Sequence, residues 1–267
     1  MDKLIGFIGA GNMNSAIIGG LIKSGVQPAQ IIVSNPSQAK LDRLAQDYSV
    51  ITTSNNKTLA QQADVIVLGV KPHYIETVCG EIAEVIDNAL IISVAAGKPI
   101  ANIAAYFDVG QAIIRAMPNT PSIVGKGATG LFLNEHVTSE QAQIAEAIFA
   151  TIGITEVVEY ESLMDVVTAL SGSGPAYFFY VVEAMLKEAM NQGLSEAQAK
   201  QLIFQTMAGA SEMLQQSDVS PTELREKVTS PGGTTAAALE SLASDAVSEA
   251  FQTAIAAAVQ RGKELAK

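Results

Sequence analysis

Short apolar runs recur through the first 160 residues, at 4–8, 31–34, 64–69, 90–94 and 111–117 with a further candidate at 127–132, and helical segments lie between several of them. That alternation predicts an α/β fold built on a parallel, doubly wound sheet, in which ligands collect at the ends of the strands. After residues 154–158 the character changes. Residues 162–192, 195–216, 220–228 and 234–265 read as helix, and strand alternation stops. The chain therefore divides into a sheet domain, 1–160, and an all-helical domain, 161–267. At 267 residues and 48% hydrophobic content it has ample material for a buried core in either. The helical part is rich in Ala and Met, with small-residue faces such as Ala208-Gly209-Ala210. Its apolar surface is generous for its size and points to an oligomerisation domain, a self-contained bundle being the plainer alternative.

The first strand, Lys3-Leu4-Ile5-Gly6-Phe7-Ile8, runs into Gly9-Ala10-Gly11-Asn12-Met13-Asn14-Ser15-Ala16 and then an apolar helix to about Lys23. Strand, glycine turn and helix is the context of a Rossmann-type dinucleotide site. Gly9 permits the sharp turn, and Gly11 lets the backbone approach a pyrophosphate lying on the helix N-terminus. The usual third glycine is replaced by Asn14, with Ala16 as the nearby small residue. The second strand ends in Ser34-Asn35-Pro36-Ser37, without the acid that would hold a ribose 2′-hydroxyl of NAD. A 2′-phosphate is not repelled there, but no Arg follows and Lys40 is the nearest cation. A modest preference for NADPH over NADH is expected.

Three more turns follow predicted strands: Gly69-Val70-Lys71-Pro72, Val94-Ala95-Ala96-Gly97 and Arg115-Ala116-Met117-Pro118-Asn119-Thr120-Pro121. Small residues in the second would let a nicotinamide or its ribose lie against the backbone. Lys71 alone reads by default as a solvated surface lysine, with cofactor phosphate or hydroxyl groups as its functional contact; Arg115 reads as an ion-pair partner, and Asn56 by default as a loop or capping residue, with the adenosine ribose as the functional option.

In the helical region, Ala169-Leu170-Ser171-Gly172-Ser173-Gly174-Pro175-Ala176-Tyr177 interrupts a helical pattern. Glycine costs roughly 1 kcal/mol and proline about 3 inside a helix, so the segment marks a helix junction or a close approach to a ligand. Further on, Val228-Thr229-Ser230-Pro231-Gly232-Gly233-Thr234-Thr235 runs into Ala236-Ala237-Ala238-Leu239-Glu240. A tight turn before a strong helix former leaves several N–H groups aimed at one point, suited to a carboxylate or phosphate. Capping of the helix by Thr234 or Thr235 is the bland reading. Positive φ and close backbone approach are both expected at Gly233.

Composition excludes several classes. With 16 Lys plus Arg against 27 Asp plus Glu, the net charge of −11 argues against nucleic acid or an anionic membrane as partner. One cysteine, Cys79, rules out an intrachain disulfide framework and suits a cytoplasmic protein. His73 and His136 lie in different segments, so neither a metal cluster nor a hydrolase triad is expected. No apolar run is long enough to span a bilayer.

In order and spacing, Phe7 to Met13, Val70-Lys71-Pro72, Arg115 to Pro121, Leu170 to Tyr177 and Val228 to Thr235 resemble the motifs of the pyrroline-5-carboxylate reductase family over nearly the whole chain. The resemblance implies a Rossmann domain and a C-terminal helical dimerisation domain, commonly with dimers gathered into a decamer. It implies reduction of the cyclic imine 1-pyrroline-5-carboxylate to L-proline, the final step of proline biosynthesis, with NADPH or NADH. Ile8, Gly9, Ala10, Gly11, Asn12, Met13, Ser34, Asn35, Asn56, Gly69, Val70, Lys71, Pro72, Val94, Ala95 and Ala96 then fall on cofactor-contacting positions. Ser230, Gly233, Thr234 and Thr235 fall on the substrate loop, and Glu161 on a helix start near the substrate. Thr235 is the residue expected to act in catalysis, through a hydrogen bond to the ring nitrogen. A β-hydroxyacid dehydrogenase is the rival enzyme: Lys187 and Asn191 have the spacing of its catalytic pair, although Gln192-Gly193-Leu194 ends the helix at once. A non-enzymatic cofactor sensor would leave the carboxylate loop unexplained.

Overall fold

The computed structural model describes residues 3–266. They form two compact units, one running to Pro175 and including the stretch from Ala258 onward, the other Ala176–Ala257. In the first unit lie β1 (Ile5–Ile8), β2 (Ile31–Ser34), β3 (Ile51–Thr53), β4 (Val65–Leu68), β5 (Leu90–Ser93), β6 (Ile113–Met117), β7 (Gly127–Leu133) and β8 (Gly153–Val157). They make one sheet in the order β3-β2-β1-β4-β5-β6-β7-β8. Strand order reverses between β1 and β4. The register Ile8↔Ser34, Ile8↔Leu68 and Leu68↔Ser93 aligns the C-terminal ends of four parallel strands at that switch point, which is where a doubly wound sheet opens a crevice.

Two expectations are corrected here. The sheet is not wholly parallel, because β7 runs antiparallel to β6, with Arg115 opposite Phe132. Only residues 118–126, folded largely as the 3₁₀ helix Thr120–Val124, join the two strands. A parallel return needs a crossover of a dozen or more residues. The sheet also gains β3, a three-residue edge strand whose Ile51 is exposed, too short to register as an apolar run.

Side chains alternate across the strands and feed two cores. Phe7, Val33 and Val67 join Ile17, Ile18, Leu21 and Phe149 on one face. Ile8, Ile32, Ile66 and Ile91 join Leu59, Ile75 and Cys79 on the other. Burial there pushes the Cys79 thiol up to about 12, which makes it a packing residue and not a nucleophile.

The change of pattern near residue 160 marks the end of strand structure, whereas the compact units part at Pro175. Helix Leu163–Val167 explains the gap between these positions. Its Val167 covers Gly130 of β7 so closely that a Cβ would not fit, and its Asp165 lies 3.8 Å from Arg115 of β6.

The predicted single helix 162–192 is broken. A π-helical turn, Thr168–Gly172, closes with the Ser173 N–H donating to the Thr168 carbonyl at 2.8 Å, and a new helix, Gly174–Asn191, starts behind it. Pro175 thus falls in the first turn, where its missing N–H breaks no ladder bond.

The predicted helix 234–265 is likewise two, Thr234–Ser244 and Val247–Leu265. Ala246 at φ 52 is left-handed, and Ser244-Asp245 before it are poor helix formers. Helices Glu196–Gln216 and Pro221–Lys227 begin with capping boxes, Ser195 with Gln198 and Ser220 with Glu223.

Candidate functional site

At the crevice, β1 turns at Gly9 with φ 101, and a Cβ there would stand 2.7 Å from the Gly69 carbonyl oxygen at the end of β4. Only glycine fits. Gly11 then caps helix Asn12–Lys23 without a side-chain bond, and the ladder opens with Ser15 N–H to the Gly11 carbonyl at 2.9 Å. The backbone N–H groups of Asn12, Met13 and Asn14 precede that bond and carry the helix's positive end. A Cβ on Gly11 would meet nothing closer than 3.9 Å, so the approach is open. Asn14, in place of the third glycine, is buried: its Nδ2 donates to the Gly9 carbonyl at 2.7 Å, and its amide fills the space where a Gly69 Cβ would sit. The amide ties the glycine turn to the end of β4. Bare amides at a helix start and a crowded two-glycine contact fit a dinucleotide pyrophosphate.

At the end of β2 the two polar residues face different ways. Ser34 is fully buried and its hydroxyl donates to Asn56 Oδ1 at 2.7 Å, so its side chain is committed to Asn56. Asn35 is half-buried, and its Oδ1 accepts the Ala10 N–H at 3.1 Å. Its Nδ2 therefore points away from Ala10, reaching the Ser37 carbonyl only at 3.5 Å. Lys40 lines a cleft of about 600 Å³ that starts at Ala10 and Asn12 and also holds Lys23 and Arg43. Arg43 pairs with Asp47 at 3.5 Å.

Beyond β4, Gly69 and Val70 are half-buried, while Lys71 and Pro72 are exposed and lead into the 3₁₀ helix Pro72–Tyr74. Beyond β5, Val94, Ala95 and Ala96 carry nothing larger than an isopropyl group, and the chain leaves through Gly97 at φ 69. The parallel strands thus bring these four turns to one edge of the sheet.

A second constellation joins β6 to the segment after β8. Arg115, with a side chain 6% exposed, places NH1 3.2 Å from Glu161 Oε1, and the same oxygen accepts the Ile100 N–H at 2.7 Å. Ile100 opens helix Ile100–Ala104, so Glu161 caps it. Its charge is thereby shared with a buried guanidinium, a commitment that sequence reading left open. Asn119 does comparable work for the backbone. Its Nδ2 donates to the Ser171 carbonyl at 2.9 Å, and its Oδ1 accepts the Ala128 N–H at 2.9 Å. In a regular helix the Ser171 carbonyl would accept from residue 175, but Pro175 has no N–H to give. Asn119 supplies the missing donor, a link between two motifs that neither shows alone.

In the helical unit, the loop before helix Thr234–Ser244 turns at Gly232, φ 71, where the Gly233 N–H donates to the Ser230 carbonyl at 3.0 Å. Positive φ thus sits at Gly232. Gly233 is extended at φ −83, and its constraint is steric, since a Cβ would lie 3.1 Å from the Ser230 oxygen. Gly233 is the N-cap and bears no side chain, so neither Thr234 nor Thr235 caps this helix. The first ladder bond is Ala237 N–H to the Gly233 carbonyl, which leaves the N–H groups of Thr234, Thr235 and Ala236 without an intrahelical acceptor. Lys187 and Asn191, the pair of the rival reading, lie on an exposed face where Asn191 Nδ2 donates to Glu188 at 3.2 Å.

Residues 161–265 match the model of the pyrroline-5-carboxylate reductase dimerisation domain, and residues 4–97 that of the coenzyme F420-dependent NADP oxidoreductases. A pyrroline-5-carboxylate reductase of Pseudomonas aeruginosa is 40% identical over 264 residues, covering 98% of this chain and 97% of its own. The chain belongs to the pyrroline-5-carboxylate reductase family. Among solved structures, the family member from Coxiella burnetii superposes with a TM-score of 0.96 at 43% identity over the whole of both chains. That from Plasmodium falciparum, with NADP bound, reaches 0.90 at 30% identity over 100% of this chain and 99% of its own. Family membership makes the chain an oxidoreductase with a nicotinamide-cofactor domain, and its helical segment an oligomerisation module. Among the described residues no helix is long and apolar enough to cross a membrane.

Proposed function

We propose that this chain, as a pyrroline-5-carboxylate reductase, holds the carboxylate of the cyclic imine on the bare backbone amides of its Ser230 to Thr235 loop. The side-chain-free helix start at Gly233 carries this reading, because three N–H groups and the positive end of a helix stay available to an anion. Thr235, half-buried beside them, is assigned the hydrogen bond to the ring nitrogen. A protonated pyrroline is already electrophilic at its imine carbon and brings its own proton. The task of the loop is orientation, which is able to supply several kcal/mol of barrier lowering. The nicotinamide cofactor supplies the hydride.

NADPH is the preferred cofactor in this reading, with NADH as the alternative. Support comes from Asn35: with Oδ1 held by Ala10, its amide offers a donor outward, the polarity a 2′-phosphate wants, and Lys40 stands in the adjoining cleft. The cofactor lies along Ile8 to Met13, Asn35, Asn56, Gly69 to Pro72 and Val94 to Ala96. Residues 161–267 pair two chains into a homodimer, and dimers gather into a decamer, in the cytoplasm. The apolar surface of the helical unit supports the pairing.

Steady-state oxidation of NADPH and NADH with 1-pyrroline-5-carboxylate tests the reading. Thr235→Ala is expected to lower turnover about 10-fold or more with cofactor affinity intact, the size of one well-placed polar contact. Gly233→Val is expected to weaken substrate binding, because the added Cβ meets the Ser230 oxygen. Wild-type kinetics in both variants would overturn the assignment.

A further inference from the structure

Glu81 sits in helix Ile75–Ile82, away from every turn assigned to the cofactor, yet its carboxylate is committed to one of them. Its Oε2 accepts Asn56 Nδ2–H at 2.8 Å, while Asn56 Oδ1 accepts the Ser34 hydroxyl at 2.7 Å. A carboxylate has no proton to give, so Asn56 must turn its NH₂ to Glu81 and its carbonyl to Ser34. The amide cannot flip. Three elements converge on this chain of bonds: Ser34 ends β2, Asn56 opens helix Asn56–Ala60, and Glu81 lies in the last turn of its own helix. Ser34 is fully buried, whereas Asn56 and Glu81 are half-buried. Asn56, the middle member, is thus gripped from both sides.

We propose that Glu81 is a positioning residue for the adenosine ribose. By fixing the Asn56 amide it leaves one Nδ2–H and one Oδ1 lone pair, in a set orientation, for the ribose hydroxyls. The inference rests on the reading of Asn56 as a ribose contact. Its physical content is preorganisation: a side chain locked before binding loses no rotamer freedom when the cofactor arrives.

Calorimetric titration of the full-length protein with NADH, without substrate, tests this directly. NADH is the suitable probe because its adenosine ribose carries hydroxyls only. Glu81→Ala is expected to raise Kd up to about 10-fold with the melting temperature nearly unmoved, the scale of ordering one side chain on binding. Glu81→Gln, whose Oε1 still accepts, should stay within about twofold of wild type. Asn56→Asp sets two carboxylates face to face and should weaken NADH by about 10-fold or more; adding Glu81→Gln, whose amide donates to that carboxylate, should recover most of the loss. The proposal is overturned if Glu81→Ala leaves Kd unchanged while Asn56→Ala raises it, a result under which the ribose reading survives. If Asn56→Ala itself leaves Kd unchanged, the ribose reading falls and takes the proposal with it.

Discussion

The two compact units bury their apolar residues very differently. The first fills both faces of its sheet, with Phe7, Ile17, Ile18, Leu21, Leu59 and Phe149 at or below 2% exposure. The second, Ala176–Ala257, buries only Ala199 and Ile203 among its described hydrophobic residues, and leaves Phe178, Phe179, Tyr180 and Phe204 more than half exposed in the single chain. Burial stabilises by roughly 25 cal/mol per Å² of apolar surface, so the first unit contains its own driving force and the second does not. Helical periodicity is identical in kind in both. What separates them is whether the apolar face has a partner inside the chain, and the dimerisation model matched over 161–265 points to where the second finds one.

Truncating an aromatic residue in each unit is the sharpest way to break this contrast. Phe149→Ala removes a fully buried side chain and should cost about 3–5 kcal/mol of unfolding free energy, by an amount independent of protein concentration. Phe178→Asp should instead act through association. A roughly 100-fold weaker dimer, worth about 2.7 kcal/mol, and a melting temperature that falls on dilution are expected from sedimentation and thermal scans. Equal, concentration-independent losses in both variants would erase the distinction.

Asn119→Ala probes the seam where the first unit ends. It strips partners from the Ser171 carbonyl and the Ala128 N–H, and chemical denaturation should show a loss of about 2 kcal/mol. The smallest effect is expected at the end of β2. Asn35→Asp keeps an acceptor for the Ala10 N–H but turns a second carboxylate oxygen outward where an amide donor stood. The ratio of kcat/KM for NADPH to that for NADH should fall about 10-fold, and an unchanged ratio would remove Asn35 from cofactor choice.

Much of the first unit was legible in the sequence because its signals are local. Apolar runs mark the strands, and a glycine turn between strand and helix marks the pyrophosphate end. The antiparallel β7 escaped that reading because direction depends on loop length rather than on the strand's own residues. The break at Ala246 escaped because alanine favours helix and is left-handed here only in context. At the site, sequence picked out Asn56 and the 228–235 loop. It missed Glu81 and the roles of Asn14 and Asn119, since each acts through side-chain hydrogen bonds to backbone or to a residue distant in sequence. The commitment of Glu161 to Arg115 was hidden for the same reason, with two segments apart in sequence meeting only in the fold.

The exposed apolar residues of the helical unit call for a second copy of the chain to cover them. Light scattering and the rate of NADPH oxidation with 1-pyrroline-5-carboxylate, followed together over a dilution series, test that most directly. A mass of two or more chains at micromolar concentration, with specific activity falling as the assembly dissociates, is the predicted result. A monomer at micromolar concentration that retains full activity would contradict it.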